Sequence, residues 1–308
     1  MRELRYFVAV AEHSTFSGAA AALGMAQPPL SRAIRLLERR LGVDLFVRSA
    51  QGVTLTDAGQ TLLDESFHAL AAIGAAAART RRAGLTQSTL IATAKPGTAS
   101  GLLRRAVDAF TETHRSPVVE ILVAGYRGQT SMVRDGRADV AIVGSPFDSR
   151  GLAVEVLSEE PRVAVVATDH RLATRRDLRC RELLGETIPV FPDATQDERL
   201  YWSGRDRVGA GSPLEVATSV EISTTDVGDI TQVIELVALG HAVALLPQSV
   251  ANAYPRADVV HLPTVDASPY VSSIVWPQGS RSRSLAEFVR CTVEFAGQEQ
   301  AQLHRGAS

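Results

Sequence analysis

One short stretch of the chain carries hydrogen-bonding side chains at helical spacing. Gln27, Ser31 and Arg35 stand at four-residue steps, and Arg32 and Arg39 flank them. Amide and guanidinium groups can hydrogen-bond the edges of DNA bases, while hydroxyl groups and cations hold phosphates. Arginines on a helix are most often only a solvated surface, so the neighbouring elements must decide between the two interpretations.

A second set of polar side chains follows predicted strands in the rest of the chain. In open α/β sheets, ligands bind beyond the carboxyl ends of strands, where helix amino termini present free N–H groups. The cationic and hydroxyl groups favour a carboxylate or similar anion, and the rings can pack an apolar or aromatic body. The candidates are Lys95, Thr98, Ser100, Tyr126, Arg127, Thr130, Ser145, Phe147, Asp229 and Thr231.

Two of these predictions have a simpler alternative. Ser100 and Asp229 can be ordinary helix caps, and Asp148 and Asp229 argue against a purely anionic ligand. Lys95 is the only lysine in a chain that otherwise uses arginine. We expect its ammonium group to contact the ligand.

Catalysis, metals and cofactors find no support in the sequence. The chain has no GxGxxG, Walker loop or HExxH, and its GTASG run misses the GxSxG pattern by one position. Cys180 and Cys291 are far apart, without a CxxC pattern, and the histidines are scattered. We expect two buried thiols, no metal, no cofactor and no enzyme activity.

The composition is that of a globular protein with more than one domain. A length of 308 residues predicts two or three compact units. Residues 1–88 carry a formal charge of +3 and the rest −5, so the amino-terminal part is the one suited to a polyanion. No apolar run is long enough for a bilayer and the chain begins with MRELR. We therefore expect a cytoplasmic protein with no membrane partner.

Three short helices are predicted before residue 42. Ser17 is expected to cap the second helix. With Ala26 as cap of the third helix, Pro28 and Pro29 occupy its first turn, whose N–H groups have no intrahelical partner to lose. Gly42 is expected to end it. The predicted inward-facing residues are Leu4, Phe7, Val8 and Ala11, then Phe16, Ala19, Ala20 and Leu23, then Leu30, Ile34, Leu37 and Leu41.

A wing and a long helix are predicted next. The run VDLFVRSAQGVTLT reads as two short strands around Gln51-Gly52, with Arg48 able to reach phosphate or the minor groove. From a cap at Thr56, an alanine-rich helix should run to about Gly84. Its stripe of Leu63, Phe67, Leu70 and Ala77 should pair with a second copy of the chain.

After GLTQS the pattern changes to strands alternating with helices. The predicted strands are TLIATA, VVEILVAG, ADVAIVG, RVAVVAT, ETIPVF, VALLP and VSSIVW. Short β-rich runs separated by helices indicate α/β units with largely parallel sheets. Together with the helices and wing of the amino-terminal part, these α/β units give a fold class that is α+β overall.

The sequence resembles the LysR-type transcriptional regulators. The residues that carry the resemblance are Phe7, Ala11, Phe16, Ala19, Ala20, Leu23, QPPLSRAIRLLERRLGVDLFVRS and VTLTDAG, with DGRADVAIVG and LGHAVALLP downstream. The resemblance implies DNA contacts at Ser17, Gln27, Pro28, Ser31, Arg32, Arg35, Arg48 and Gln51. Two residues depart from the family pattern: Ala26 replaces a Ser or Thr cap, and Gln51 replaces a wing arginine.

The resemblance also implies the domain plan and the partners. A winged helix-turn-helix (1–57) and a dimerising linker helix (58–88) precede an effector domain (89–308) built like periplasmic binding proteins. Its subdomains are I (about 89–163 and 269–300) and II (about 164–268), with the ligand between them. The implied partners are an inverted-repeat DNA operator, a small-molecule effector such as a carboxylate or aromatic metabolite, and further copies forming a dimer or tetramer. RNA polymerase is a candidate partner. The alternatives are an effector-independent regulator and a small-molecule-binding protein without DNA readout.

Overall fold

The structure, a computed structural model, describes residues 1–49, 52–84, 89–114, 116–125, 128–192, 194–206 and 222–306. The chain divides into an amino-terminal unit, Met1–Thr86 with Arg134–Arg137, and a carboxy-terminal unit, Gln87–Val133 with Ala138–Ser308. No helix in the described ranges is long and apolar enough to cross a membrane.

The amino-terminal unit packs three helices, a two-stranded wing and the start of a long helix around one core. Phe46 brings the elements together, because its ring lies 5.2 Å from that of Phe7 and 6.3 Å from that of Phe16. The helices are α1 (Arg2–His13), α2 (Phe16–Ala22), α3 (Gln27–Leu41) and α4 (Asp57–Ala83), and the strands are β1 (Phe46–Ser49) and β2 (Gly52–Leu55).

The ends of α2 and α3 test the predicted caps. Ala26 caps α3 without a side-chain hydrogen bond, and Gly42 ends it in the left-handed conformation, as predicted. The cap predicted at Ser17 is wrong: Thr15 caps α2, its hydroxyl accepting from the Gly18 N–H at 3.1 Å. Leu41 is 48% exposed instead of buried, because it is the last residue of α3 and extends past the core.

The wing and the start of α4 follow the prediction. β1 and β2 pair antiparallel. The Thr56 hydroxyl accepts from the Gly59 N–H at 2.9 Å and donates to the Asp44 carbonyl at 2.8 Å, so it caps α4 and ties it to the chain before the wing. Gly59 sits so close to the loop that a Cβ there would lie 2.1 Å from the Leu45 carbonyl oxygen.

The apolar stripe of α4 is divided between two environments. Leu63 and Leu70 pack against the core of the amino-terminal unit, whereas Phe67 is 49% exposed and Ala77 is exposed. Part of the stripe predicted for dimerisation is therefore covered within the chain, because the first half of α4 contacts α1.

The carboxy-terminal unit is an α/β structure. Its helices are α5 (Thr98–Thr113), α6 (Gly128–Arg134), α7 (Gln196–Trp202), α8 (Ile230–Ala238), α9 (Gln248–Ala253) and α10 (Arg283–Gly306). Its strands are β3 (Thr89–Ala94), β4 (Val118–Val123), β5 (Val140–Gly144), β6 (Leu152–Glu160), β7 (Arg162–Ala167), β8 (Ile188–Val190), β9 (Thr224–Asp226), β10 (Ala244–Pro247), β11 (Val259–Pro263) and β12 (Tyr270–Pro277).

The sheets are less parallel than predicted. The five-stranded sheet has the order β4-β3-β5-β12-β6, in which β12 runs antiparallel to both neighbours, and the three-stranded sheet β10-β7-β11 is entirely antiparallel. The pairs β3–β4, β3–β5 and β8–β9 are parallel. β12 enters its sheet after β11 instead of after a crossover helix, and only crossover connections favour parallel pairing. Strands β6, β9 and β11 were not predicted.

Each larger sheet is covered by helices. Phe110 of α5 and Phe288 of α10 pack edge to face, 5.3 Å apart, over the five-stranded sheet. Val233 and Val237 of α8 pack against β7 and β10. These two cores hold the loops that follow β3 and β5 and the start of α8 in place.

Candidate nucleic-acid interface and ligand cavity

The predicted contact face of α3 is open to solvent. Leu30, Ile34 and Leu37 are buried on one side of the helix. On the other side, Gln27, Pro28, Arg32 and Arg35 are exposed and Ser31 is half-buried. A helix whose core face is fixed and whose polar face is exposed has the geometry that enters the major groove.

The guanidinium groups on this face are uncommitted. Arg32, Arg35 and Arg39 form no ion pair with any described residue. Arg40, one position further, pairs with Glu3 of α1 at 2.9 Å. Cations that form no ion pair are free to neutralise phosphates.

The other predicted DNA contacts are placed less completely. Ser17 is exposed within α2. Arg48 belongs to β1, so its backbone lies on the wing. Gln51 lies outside the described residues.

The carboxy-terminal unit contains two adjoining cavities. We call the first, of about 560 Å³, the polar chamber; it lies between the loop after β3, the loop after β5, α6 and α7. It is lined by Lys95, Gln129, Thr130, Ser131, Val143, Gly144, Ser145, Pro146, Phe147, Asp148, Arg150, Thr195, Asp197, Glu198 and Trp202. Four predicted residues, Lys95, Thr130, Ser145 and Phe147, come together here.

The second cavity, of about 200 Å³, is the apolar chamber. Its wall consists mainly of aliphatic and aromatic side chains from β8, α8, β10 and α9. It is lined by Lys95, Pro96, Gly97, Gly125, Ile188, Pro189, Phe191, Trp202, Gly228, Asp229, Ile230, Val233, Ala244, Leu245, Leu246, Pro247, Val250, Ala253 and Tyr254. Lys95 and Trp202 belong to both chambers and so mark their common border.

Lys95 is a half-buried cation at this border. Its Nζ lies 5.4 Å from the centroid of the Tyr270 ring, and it forms no hydrogen bond or ion pair with the described residues. Burial lowers the pKa of Lys95 to about 8, against the opposing attraction of Glu160. Both Glu160 carboxylate oxygens are instead engaged by Ser249, one by its N–H and one by its hydroxyl, each at 2.6 Å.

Trp202 owes its position to Tyr201, the residue before it in α7. The Tyr201 hydroxyl donates to the Pro269 carbonyl at 3.0 Å and lies 3.1 Å from the Ser145 Oγ. The buried guanidinium of Arg162 stacks on the Tyr201 ring and donates to its carbonyl oxygen. The end of α7 is thereby fixed against the loop after β5.

The remaining predicted ligand contacts lie elsewhere or are already engaged. Ser100 donates to the Gly97 carbonyl at 2.7 Å and lines neither chamber. Asp229 caps α8 by accepting from the Gln232 N–H at 2.9 Å, although it also lines the apolar chamber. Thr231 is exposed on α8. Tyr126 and Arg127 lie outside the described residues, as does the side chain of Thr98, whose backbone begins α5.

The prediction missed most of the walls. Trp202 and the residues of α7 and α9 lie in segments without a Gly-rich loop or strand end, so no local signal marked them. Phe191 is the last residue of the predicted strand ETIPVF, and the same strand-end rule applied there would have found it.

Metal and thiol chemistry gain no support. In the described ranges no three His, Cys, Asp or Glu side chains are grouped to hold a metal ion. Cys180 is buried, as predicted, and burial raises the pKa of its thiol to about 12. The prediction of a buried Cys291 is wrong: this residue is half-buried, because it lies on a partly exposed face of α10.

Comparison with known proteins agrees with both halves of this description. The family model "Bacterial regulatory helix-turn-helix protein, lysR family" matches residues 1–60, and "LysR substrate binding domain" matches residues 83–297. The chain is 31% identical over 299 residues to the HTH-type transcriptional regulator BudR of Raoultella terrigena, covering 94% of this chain and 98% of that protein.

Two further relatives extend over the same length. The Hca operon transcriptional activator HcaR of Escherichia coli is 28% identical over 299 residues, covering 96% of this chain and 97% of that protein. The crystal structure of full-length BenM superimposes with a TM-score of 0.55 at 23% identity, covering 97% of each chain. The chain described here belongs to the LysR family of DNA-binding transcriptional regulators.

Proposed function

We propose that the exposed face of α3 binds an operator and that a small molecule in the two chambers changes DNA binding or bending. The observation that carries the DNA half is the set of guanidinium groups on α3 that form no ion pair with the described residues, beside an arginine that is paired. The predicted contacts are Ser17, Gln27, Pro28, Ser31, Arg32, Arg35, Arg48 and Gln51. The cavity bordered by Lys95 supports the effector half.

We further propose the domain plan and assembly that the sequence predicts. The boundaries are 1–57, 58–88 and 89–308, with the effector domain divided into subdomains at about residues 164 and 268. A dimer, or a tetramer of two dimers, would present recognition helices to successive major grooves, so we expect an inverted repeat about one helical turn apart. RNA polymerase is a candidate protein partner at the promoter.

An enzymatic role is not part of this proposal. The relatives reported above are named as transcriptional regulators, which supports a protein without catalytic activity. A regulator works where bacterial DNA lies, so we place the protein in the cytoplasm.

The test is operator affinity measured by fluorescence anisotropy on the promoter beside the protein's own gene. We expect Arg32→Ala to weaken binding by roughly 5- to 100-fold and to reduce the salt slope by about 1, as loss of one phosphate or base contact predicts. Arg40→Ala is the matched control on the same helix, and its effect should be much smaller because Glu3 already neutralises Arg40.

Separate outcomes would favour the alternatives. Equal losses from Arg32→Ala and Arg40→Ala would contradict specific contacts by the exposed face. Failure of wild-type protein to bind the promoter would favour a small-molecule-binding protein without DNA readout. Normal binding that no cavity substitution or ligand alters would favour an effector-independent regulator.

A further inference from the structure

The two chambers differ in chemistry, and the difference restricts the ligand. The polar chamber is lined by three carboxylates, those of Asp148, Asp197 and Glu198, against two cations, Lys95 at its border and Arg150, which pairs with Asp148 at 3.1 Å. An anionic group placed deep in this chamber would meet net negative charge. The apolar chamber has a single carboxylate, Asp229, and an otherwise mainly apolar wall.

The size of the apolar chamber sets the size of its occupant. An apolar protein cavity of about 150 Å³ is known to hold one benzene molecule. A chamber of about 200 Å³ therefore has room for one six-membered ring with a short substituent. The rings of Phe191, Trp202 and Tyr254 in its wall suit a flat apolar body.

The border between the chambers offers donors that nothing in the described chain satisfies. Lys95 brings an ammonium group without an acidic partner. The indole Nε1–H of Trp202 is buried and has no hydrogen-bond partner among the described residues. Unsatisfied buried donors are uncommon, because they cost free energy unless a ligand or water accepts from them.

A third feature of the border also favours an anionic ligand group. Gly97, the cap residue before α5, lines the apolar chamber and provides no side-chain acceptor to cap the helix. The first-turn N–H groups and the helix dipole therefore favour negative charge at this point.

We propose that the effector is a monocyclic organic monocarboxylate: its ring fills the apolar chamber and its single carboxylate accepts hydrogen bonds from Lys95 and the Trp202 Nε1–H. This inference rests on the proposed function, which places an effector in the chambers. A second anionic group is disfavoured by the carboxylates of the polar chamber. A neutral head group would not be attracted electrostatically by the Lys95 ammonium group.

Calorimetry with the full-length protein tests the ligand class. The probes are benzoate, phenylacetate, 3-phenylpropionate and cyclohexanecarboxylate. For the one that binds most tightly, we expect the neutral amide of the same skeleton, the matched dicarboxylate and acetate each to bind at least about tenfold more weakly, because hydrogen bonds to charged groups are the strong ones. Failure of all four probes, or equal binding of the amide, would overturn the proposal.

Three substitutions test the placement. Lys95→Met should remove the preference for carboxylate over amide. Trp202→Phe removes the Nε1–H but keeps an aromatic side chain, so it should weaken carboxylate binding. Val250→Phe should fill the apolar chamber and abolish binding of the ring. Val154→Phe, on the exposed part of β6, is the matched control and should leave binding unchanged. Thermal unfolding of each variant verifies folding, and unchanged binding in Val250→Phe would refute this placement.

Operator affinity with and without each ligand separates this inference from the proposed function. If a dicarboxylate or neutral ligand binds at the chambers and shifts operator affinity, the monocarboxylate assignment fails while the effector-controlled regulator stands. If a monocarboxylate binds as described but never changes operator affinity or bending, the ligand assignment stands and the proposed regulation fails.

Discussion

At the scale of single residues, Lys95 links the charge of the cavity to pH. Its ammonium group lies beside Tyr270, and burial lowers its pKa to about 8. A lysine is charged below its pKa, so Lys95 carries its full charge well below pH 8 and loses it as the pH rises through 8. Burial also raises the pKa of Tyr270, which keeps that phenol neutral throughout this interval.

The affinity for a monocarboxylate should follow this titration. We expect it to be constant below about pH 7 and to fall as the pH rises through about 8, since carboxylic acids and guanidinium groups ordinarily titrate far from this range. Because the bound anion favours the charged lysine, binding near pH 8.5 should take up protons, measurable by calorimetry in buffers of different ionisation enthalpy.

The other charged groups around Lys95 define the control. Glu160 faces it from the end of β6, Asp148 and Arg150 from the loop after β5, Asp197 and Glu198 from α7, and Asp229 from the start of α8. In Lys95→Met the residual affinity should no longer change between pH 7 and 9. A wild-type affinity that stays flat over that interval would contradict the assignment of Lys95 as the charged contact.

At the scale of elements, the junction of wing and α4 depends on a glycine. Gly59 lies where a Cβ would be 2.1 Å from the Leu45 carbonyl oxygen and 2.9 Å from Leu55. A backbone oxygen cannot retreat as a flexible side chain can. The close approach lets Thr56 bond both α4 and the chain before the wing.

Gly59→Ala should therefore destabilise the amino-terminal unit. We expect a loss of about 1–3 kcal/mol, the usual cost of overpacking, seen as faster hydrogen exchange in peptides from α1 to α3. Gly297→Ala in α10 is the matched control, because a Cβ there has nothing within 4 Å. It should be neutral or stabilising by up to about 1 kcal/mol. Unchanged hydrogen exchange in Gly59→Ala would show that the backbone at Leu45 shifts to accept the added methyl group, and would contradict this prediction.

At the scale of the whole molecule, α4 carries an exposed aromatic residue on its stripe. Phe67 is 49% exposed, while Leu63 and Leu70 contact the core of the same unit. The dimer contact that we propose therefore centres on Phe67 and the residues beyond it, instead of on the complete stripe.

Replacing Phe67 by glutamate should shift the protein from dimer or tetramer toward smaller species. A charge at an apolar contact costs free energy when it is buried by a partner, and sedimentation velocity at micromolar concentration measures the change. Ala76→Glu is the control, because Ala76 is exposed on the opposite side of α4. Equal dissociation by both substitutions, or by neither, would contradict pairing through the Phe67 stripe.

The predictions for the amino-terminal unit depended on local sequence signals. The caps at Ala26 and Thr56, the glycine stop at Gly42 and the wing strands were predicted correctly, because each depends on residues a few positions apart. Ser17 was mistaken for Thr15, since two hydroxyl residues two positions apart offer the same local signal.

The sequence by itself determined the helices and the wing of the amino-terminal unit, the run of cationic residues on α3, and the alternation of strands and helices that follows. These depend on periodicity, proline and glycine, which act over one or two turns. Only the tertiary structure decided that Lys95 and Trp202 border both chambers, that Phe191 and Tyr254 close one apolar chamber, and that β12 runs antiparallel. These contacts join segments more than 50 residues apart, and their geometry follows from how packed side chains fill space, which no local pattern encodes.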